Sequence, residues 1–181
     1  MNPGSLLIAD PSVIGDNNFH RSIILLVEHD HNGSFGFIIN NPLNYTINDI
    51  TIGIEYDFPL YYGGPVDQEN LFFVHKMGNL IPNSVQIQND LYWGGDFKKT
   101  ISLINDQQLN VNDIKFFLGY SGWSPNQLNS EIESKSWIVK KNSNSSEIFR
   151  TKSKSLWSKK MKELGGDFIL WSNSPENPYE N

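Results

Sequence analysis

Cysteine is absent from all 181 residues. Disulfide scaffolds, thiolate zinc sites, iron–sulfur clusters and cysteine nucleophiles are excluded together. Long hydrophobic runs are missing as well. The longest purely aliphatic stretch is Ile23 to Val27, far short of the ~20 residues a membrane helix needs. The opening Met1-Asn2-Pro3-Gly4-Ser5 has no positive charge ahead of an apolar core, so it does not read as a signal peptide. A cytoplasmic protein without membrane contact is the expectation. A chain this long can bury roughly 70% of its unfolded surface, so its core needs neither a metal nor a disulfide.

Positive charge is scarce over most of the chain. Residues 1–134 hold 5 Lys/Arg against 15 Asp/Glu, a net of −10. Residues 135–163 reverse this with 9 Lys/Arg against Glu147 and Glu163, a net of +7, and the last 18 residues contribute −3. Such a basic stretch is expected to lie on the acidic body or to form a solvated face. Nucleic-acid contact through 135–163 is the alternative. Against it, an acidic body opposes binding by phosphate neutralisation, and no helix-turn-helix is visible. Asparagine is abundant, with 22 residues placed mostly in turn-like segments, where its side chain supports local backbone turns.

Strand signals dominate. Ser5–Ala9, Leu60–Tyr62, Leu71–His75, Ser84–Ile87, Leu91–Trp93, Ile114–Leu118 and Trp137–Val139 read as short strands. Ile23–Val27 reads as a strand covered on both faces. Asn32-Gly33 between apolar runs predicts a hairpin to Phe35–Asn40, with a type I′ turn. Asp96 is placed to cap a helix carrying Phe97, Ile101 and Ile104. Ser124-Pro125-Asn126-Gln127 predicts a helix start, with Ser124 as cap, Gln127 completing a capping box, and Trp123 and Leu128 forming a staple. A last amphipathic helix, about 153–164, lines up Trp157, Met161 and Leu164 and ends at Gly165-Gly166. No regular βαβ alternation appears, which predicts an α+β fold with a mostly antiparallel sheet and about three to four helices. One domain over 1–171 and a flexible tail over 172–181 complete the expected organisation.

Catalytic motifs are incomplete. Gly119-Tyr120-Ser121-Gly122 lacks the spacing of a nucleophile elbow, because its second glycine comes one residue early. Neither a Walker loop nor a dinucleotide glycine pattern occurs, so no cofactor is expected. Glu28-His29-Asp30-His31 gathers four ionisable groups at the hairpin entry, with Glu28 and Asp30 on one strand face and the histidines on the other. No metal-ligand spacing links them to His20 or His75, and no metal is expected.

Taken in order, several of these segments resemble the AlgH/YqgE family of bacterial proteins. They are Leu6-Leu7-Ile8-Ala9, Phe19-x-Arg21-Ser22, Glu28-His29-x-x-Asn32-Gly33, Gly36, Asn40-x-Pro42, Gly63-Gly64-Pro65 and His75, then Leu118-Gly119-Tyr120-x-x-Trp123, Gln127-Leu128-x-x-Glu131-Ile132, Trp137 and Trp157. The match spans roughly residues 4 to 171. Members often carry Cys where this chain has Val27, and a basic residue where it has Asn41. The resemblance implies a bifurcated, mainly antiparallel sheet folded into a pseudo-barrel. Members are commonly labelled transcriptional regulators, a label that rests on genetics rather than on a DNA-binding motif. The resemblance brings no established activity.

Together these observations predict a non-enzymatic binding protein with a protein or small-molecule partner. Its candidate surface comprises Arg21, Glu28, His29, Asn40, Gly63, Gly64, Pro65 and Tyr120. The competing enzymatic reading pairs Glu28 and His29 as acid and base. It requires the two to converge in a pocket with Arg21 or His75.

Overall fold

The computed structural model of the protein describes residues 1–150 and 155–174. The strands are β1 (Leu6–Ala9), β2 (Ile23–Asp30), β3 (Gly33–Ile38), β4 (Pro42–Thr46), β5 (Pro59–Tyr62), β6 (Val66–His75), β7 (Val85–Gln88), β8 (Leu91–Trp93), β9 (Ile114–Trp123) and β10 (Trp137–Lys140). The helices are α1 (Phe97–Asn105), α2 (Gln127–Glu133), α3 (Ser146–Arg150), α4 (Ser155–Leu164) and α5 (Phe168–Ser172). This is an α+β fold, and every strand pair but one is antiparallel.

The sheet forks on β9. Its main path runs β10-β1-β2-β3-β9-β6-β8-β7, and β5 leaves it at β9 with β4 beyond. Phe116 to Leu118 pair in parallel with Leu60 to Tyr62, whereas Ser121 to Trp123 pair with Gly36 to Ser34. A forked sheet has three ends, here β10, β7 and β4, and therefore does not close. The expected bifurcated, mainly antiparallel sheet is present, and it is not a closed barrel.

The fork needs glycine. A Cβ on Gly63 would lie 2.2 Å from the Gly119 carbonyl oxygen, and one on Gly64 would lie 2.3 Å from the Tyr120 carbonyl carbon. Gly119 itself has φ +68°, a left-handed conformation that costs little only without a side chain.

Three cores follow from strand alternation. Ile23, Leu25 and Val27 of β2 join Phe37, Phe117, Trp157 and Met161 in one cluster, under α3 and α4. Ile24 and Leu26 pack on the other face with Trp123, Trp137 and Leu128. Beyond the fork, that second face is covered by α1 through Leu103 and Ile104, against Leu60, Phe73 and Phe116. Ile23–Val27 is thus buried on both sides, as its unbroken apolar run requires.

Local chemistry departs from expectation in four places. The β2–β3 turn is centred on His31-Asn32, and only Gly33 has a positive φ, at +141°. A type I′ turn centred on Asn32-Gly33 is therefore replaced by a turn one residue earlier. Ser124 does not cap α2. The helix starts at Gln127 after a left-handed Asn126 (φ 63°), although the Gln127 side chain does accept from the Ser124 N–H at 3.0 Å. Among the described residues five α-helices form where three to four were expected, since α3 and α5 are short turns without a long amphipathic pattern. Finally, the four ion pairs among the described residues join Lys159 and Lys160 to Glu147 and Glu163. Lys159 and Lys160 of the basic stretch thus pair with its own two acids.

Asp96 caps α1 as expected, accepting from the Lys99 N–H at 3.0 Å. In α4, Trp157 and Met161 are buried, and the Trp157 Nε1–H donates to the Ala9 carbonyl at 2.8 Å. Of the expected tail, Ser172 closes α5 by donating to the Ile169 carbonyl, and 175–181 lie outside the described residues.

Candidate functional site

The eight candidate residues separate into four places. Arg21 and Asn40 sit where the chain enters β2. The Asn40 amide accepts from the Ile23 N–H at 2.7 Å and donates to the Arg21 carbonyl at 2.9 Å, so it clamps a backbone step at which Arg21 has φ 55°. The Arg21 guanidinium lies 5.0 Å over the Trp157 ring and donates to the carbonyl and hydroxyl of Ser174 at 2.8 and 2.7 Å. These contacts fasten the C-terminal helices to the start of β2. Glu28 lies seven residues further on, roughly 20 Å along the strand at about 3.3 Å per residue. Arg21 and Glu28 therefore belong to different sites.

His29 is separated from Glu28 by the strand itself. Neighbouring strand residues face opposite sides, and the His29 Nδ1 hydrogen-bonds the Ser34 hydroxyl at 2.7 Å, across the β2–β3 pair. Gly63 and Gly64 face the backbone of β9, and the Pro65 carbonyl accepts from the Gln68 amide at 3.1 Å.

Glu28 and Tyr120 do share a site. A cleft of about 710 Å³ opens at the far end of β2 and β3, between the ends of β8 and β9 and the Ser124–Gln127 loop. A β-bulge builds its mouth. The β2–β3 register slips between Leu26 and Glu28, so Val27 is the extra residue and Glu28 pairs with Phe35. A bulge re-aims the residue that follows it. Without the slip, Glu28 would follow the alternation to the face opposite Val27.

The walls are aromatic. Phe35 meets Trp93 at 5.1 Å and Tyr120 at 5.8 Å, and Phe72 meets Tyr120 at 5.7 Å, all edge to face. Phe37 continues the set inward, stacked on Phe117 at 4.8 Å, so the cleft floor is the outer end of the main core. The Trp93 indole N–H is buried with no acceptor among the described residues. At the mouth, Asp30 accepts from the Asn32 N–H at 2.7 Å, which holds its carboxyl below the usual carboxylate range. Among the described residues, neither Lys, Arg nor His lines this cleft.

Other landmark residues are structural. The Glu131 carboxylate accepts from the indole N–H groups of Trp123 and Trp137, both at 2.8 Å, and from Gln127 at 2.9 Å. The Ser121 hydroxyl is buried and donates to the Gly63 carbonyl at 3.1 Å.

His75 is fully buried. Its Nδ1 accepts from the Met77 N–H at 3.1 Å, so the proton sits on Nε2, which lies 3.0 Å from both the Gly94 carbonyl and the Ser84 hydroxyl. Ser84 spends its own proton on the Ile81 carbonyl and receives here. Burial pushes the ring down to about 4, with the Gly94 bond opposing. A folded-state value below the unfolded 6.5 means that the unfolded chain binds the extra proton first. This stability is complete above pH 6.5 and is lost as pH falls towards 4. Between pH 6.5 and 5 the wild type is expected to lose about 2 kcal/mol, at 1.4 kcal/mol per unit. Urea titrations should show less than half that slope in His75→Leu, and an unchanged slope would disprove the assignment.

Of the aromatic walls the sequence singles out Tyr120 but not Phe35, Phe72 or Trp93, and it gives no sign of a buried lysine. The Lys115 ammonium lies 3.8 Å over the Tyr61 ring and donates to the Ile148 carbonyl at 3.1 Å, with 4% of the residue exposed.

The family model described as AlgH-like matches residues 6–169. The chain is 40% identical over 180 residues to a UPF0301 protein of Cytophaga hutchinsonii, covering 98% of each. It is 38% identical to a UPF0301 protein of Chlorobaculum parvum, covering 98% of this chain and 95% of that one. The fold is similar to the crystal structure of protein DIP2367 from Corynebacterium diphtheriae, with a TM-score of 0.76 at 24% identity over 96% of this chain and 93% of that one. It is also similar to the solution structure of the AlgH protein from Pseudomonas aeruginosa, with a TM-score of 0.71 at 22% identity over 96% of this chain and 94% of that one.

Proposed function

This chain belongs to the AlgH-like family, and from that premise we propose that it acts in the cytoplasm by binding a partner in the aromatic cleft, in the regulatory role its family resemblance implies. The observation that carries this reading is the cleft itself. At about 710 Å³ it falls within the size of ligand pockets, and it joins an apolar wall to a few polar groups.

Catalysis has less support. Glu28 reaches the cleft, but His29 lies on the opposite face, Arg21 is engaged with Ser174 and Trp157, and His75 is sealed in a neutral network. The acid–base pair is not assembled. Nucleic-acid binding through 135–163 has only charge behind it: the net of +7 already counts Glu147 and Glu163, which pair with Lys159 and Lys160, and the −10 body opposes phosphate binding. No described helix is long and apolar enough to cross a membrane.

The test is capture from native lysate on the immobilised full chain, with and without nuclease, beside Glu28→Lys. Glu28 is exposed, so this change alters the cleft mouth and not the core. The wild type should retain a protein or small molecule about fivefold better than the variant, as expected for reversing a charge at a binding site, whether or not nuclease is present. Equal retention by the variant, or retention that nuclease removes, would overturn the reading.

A further inference from the structure

We propose that the cleft takes a small organic cation, an ammonium group carried on an apolar body. This rests on the cleft being the binding site, and it adds the charge and class of the ligand.

Two features point the same way. The charged groups lining the cleft are Glu28 and Asp30, both carboxylates and both at the mouth. Among the described residues no Lys, Arg or His lines the cleft, His31 acting on Asp30 from outside it, and the Asn32 N–H keeps Asp30 ionised well below neutral pH. Below them stand the rings of Phe35, Phe72, Trp93 and Tyr120. Aromatic faces carry negative quadrupole density, which attracts ammonium groups and repels carboxylates and phosphates. An anionic ligand would meet two carboxylates and ring faces with no lysine or arginine to receive it. A neutral apolar ligand would leave the carboxylates unused.

The same fold already holds three of its own cations on rings. They are Lys115 over Tyr61, Lys76 over Phe149 and Arg21 over Trp157, at 3.8, 4.8 and 5.0 Å. All of these lie away from the cleft, whose rings carry no cation from the described residues. The volume suits a small molecule whose ring or chain packs against the walls while its ammonium faces the carboxylates.

Three probes of one shape test this: 2-phenylethylammonium, neutral 2-phenylethanol and anionic 3-phenylpropionate. Each is titrated into the full chain by two-dimensional NMR and tryptophan fluorescence, since Trp93 and Trp123 line the cleft. The ammonium should bind about tenfold more tightly than the alcohol, and the carboxylate should show no saturable binding, as cation–π and carboxylate attraction together require. Glu28→Gln combined with Asp30→Asn should remove most of that preference, and raising the salt should weaken the ammonium alone. Equal binding of the ammonium and the alcohol would overturn the cationic assignment while leaving the cleft a binding site. Ammonium binding unaffected by the double variant and by Tyr120→Ala would place it elsewhere and overturn the proposal. No binding of any probe, together with equal lysate capture by wild type and Glu28→Lys, would remove both this proposal and the functional reading beneath it.

Discussion

Gly63→Ala is expected to destabilise the protein by at least about 4 kcal/mol, or to leave no soluble folded chain, as severe backbone overpacking does. The added methyl would stand 2.2 Å from the Gly119 carbonyl oxygen and 3.1 Å from the Phe117 Cβ. Neither neighbour can yield. The Gly63 N–H donates to Leu118, and its carbonyl accepts from the Ile38 N–H and the Ser121 hydroxyl, at 2.8, 2.9 and 3.1 Å. The residue is therefore pinned to both arms of the fork at once. In a domain of this size, each kcal/mol moves the melting temperature by roughly 2–4 °C, so a drop of about 10 °C or more is expected. Gly15→Ala is the control, because no described atom lies within 4 Å of where its methyl would stand and its φ is not positive. It should leave the melting temperature almost unchanged. Equal effects at the two glycines would contradict the account of the fork.

Lys115→Met is expected to raise stability near pH 7, by about 3 kcal/mol. The lysine lies on β9 beside Phe117 and faces the main core, where burial pushes its ammonium down to about 7 from an ordinary 10.5. A base whose folded-state value is depressed is penalised wherever the unfolded chain holds the extra proton. That penalty is complete at and below pH 7 and fades as pH rises to 10.5. At 1.4 kcal/mol per unit it reaches about 5 kcal/mol. The lost hydrogen bond to Ile148 and the lost contact with the Tyr61 ring take back roughly 2 kcal/mol. Methionine keeps the length and packs well against an aromatic ring. Denaturation at pH 7, 8 and 9 should show the variant's advantage shrinking by about 1 kcal/mol per unit or slightly more. An advantage independent of pH would mean that the ammonium is not the source.

Lys115 also shows where reading a sequence stops. Ile114–Leu118 is legible as a strand, but alternation alone suggests that its lysine has an outward face. On β9 no such face exists, since one side carries the main core and the other the α1 core. The β2–β3 hairpin, the Asp96 cap and the Trp157–Met161 stripe are legible because each depends on residues close in sequence. β4 escapes notice because it is a half-exposed edge strand that opens with Pro42. The candidate site is only half legible. Arg21, Asn40 and the glycine pair stand out by residue type, but they serve as a clamp and a fork. The cleft walls are drawn from β3, β6, β8 and β9, and their meeting depends on a long-range register that no local pattern encodes. Even Glu28 reaches the cleft only through the slip at Val27.

The three partners of β9 also bear on how the chain is born. A ribosome releases β1 to β8 before the first residue of β9, and until then β3, β5 and β6 have no common neighbour to hold them together. The first strand waits longer still, because its outer partner is β10, with Leu6 paired to Lys140. Contacts this distant in sequence close slowly, and the unpaired edges stay open to other chains meanwhile. Folding is therefore expected to be a late event that follows release of nearly the whole sheet.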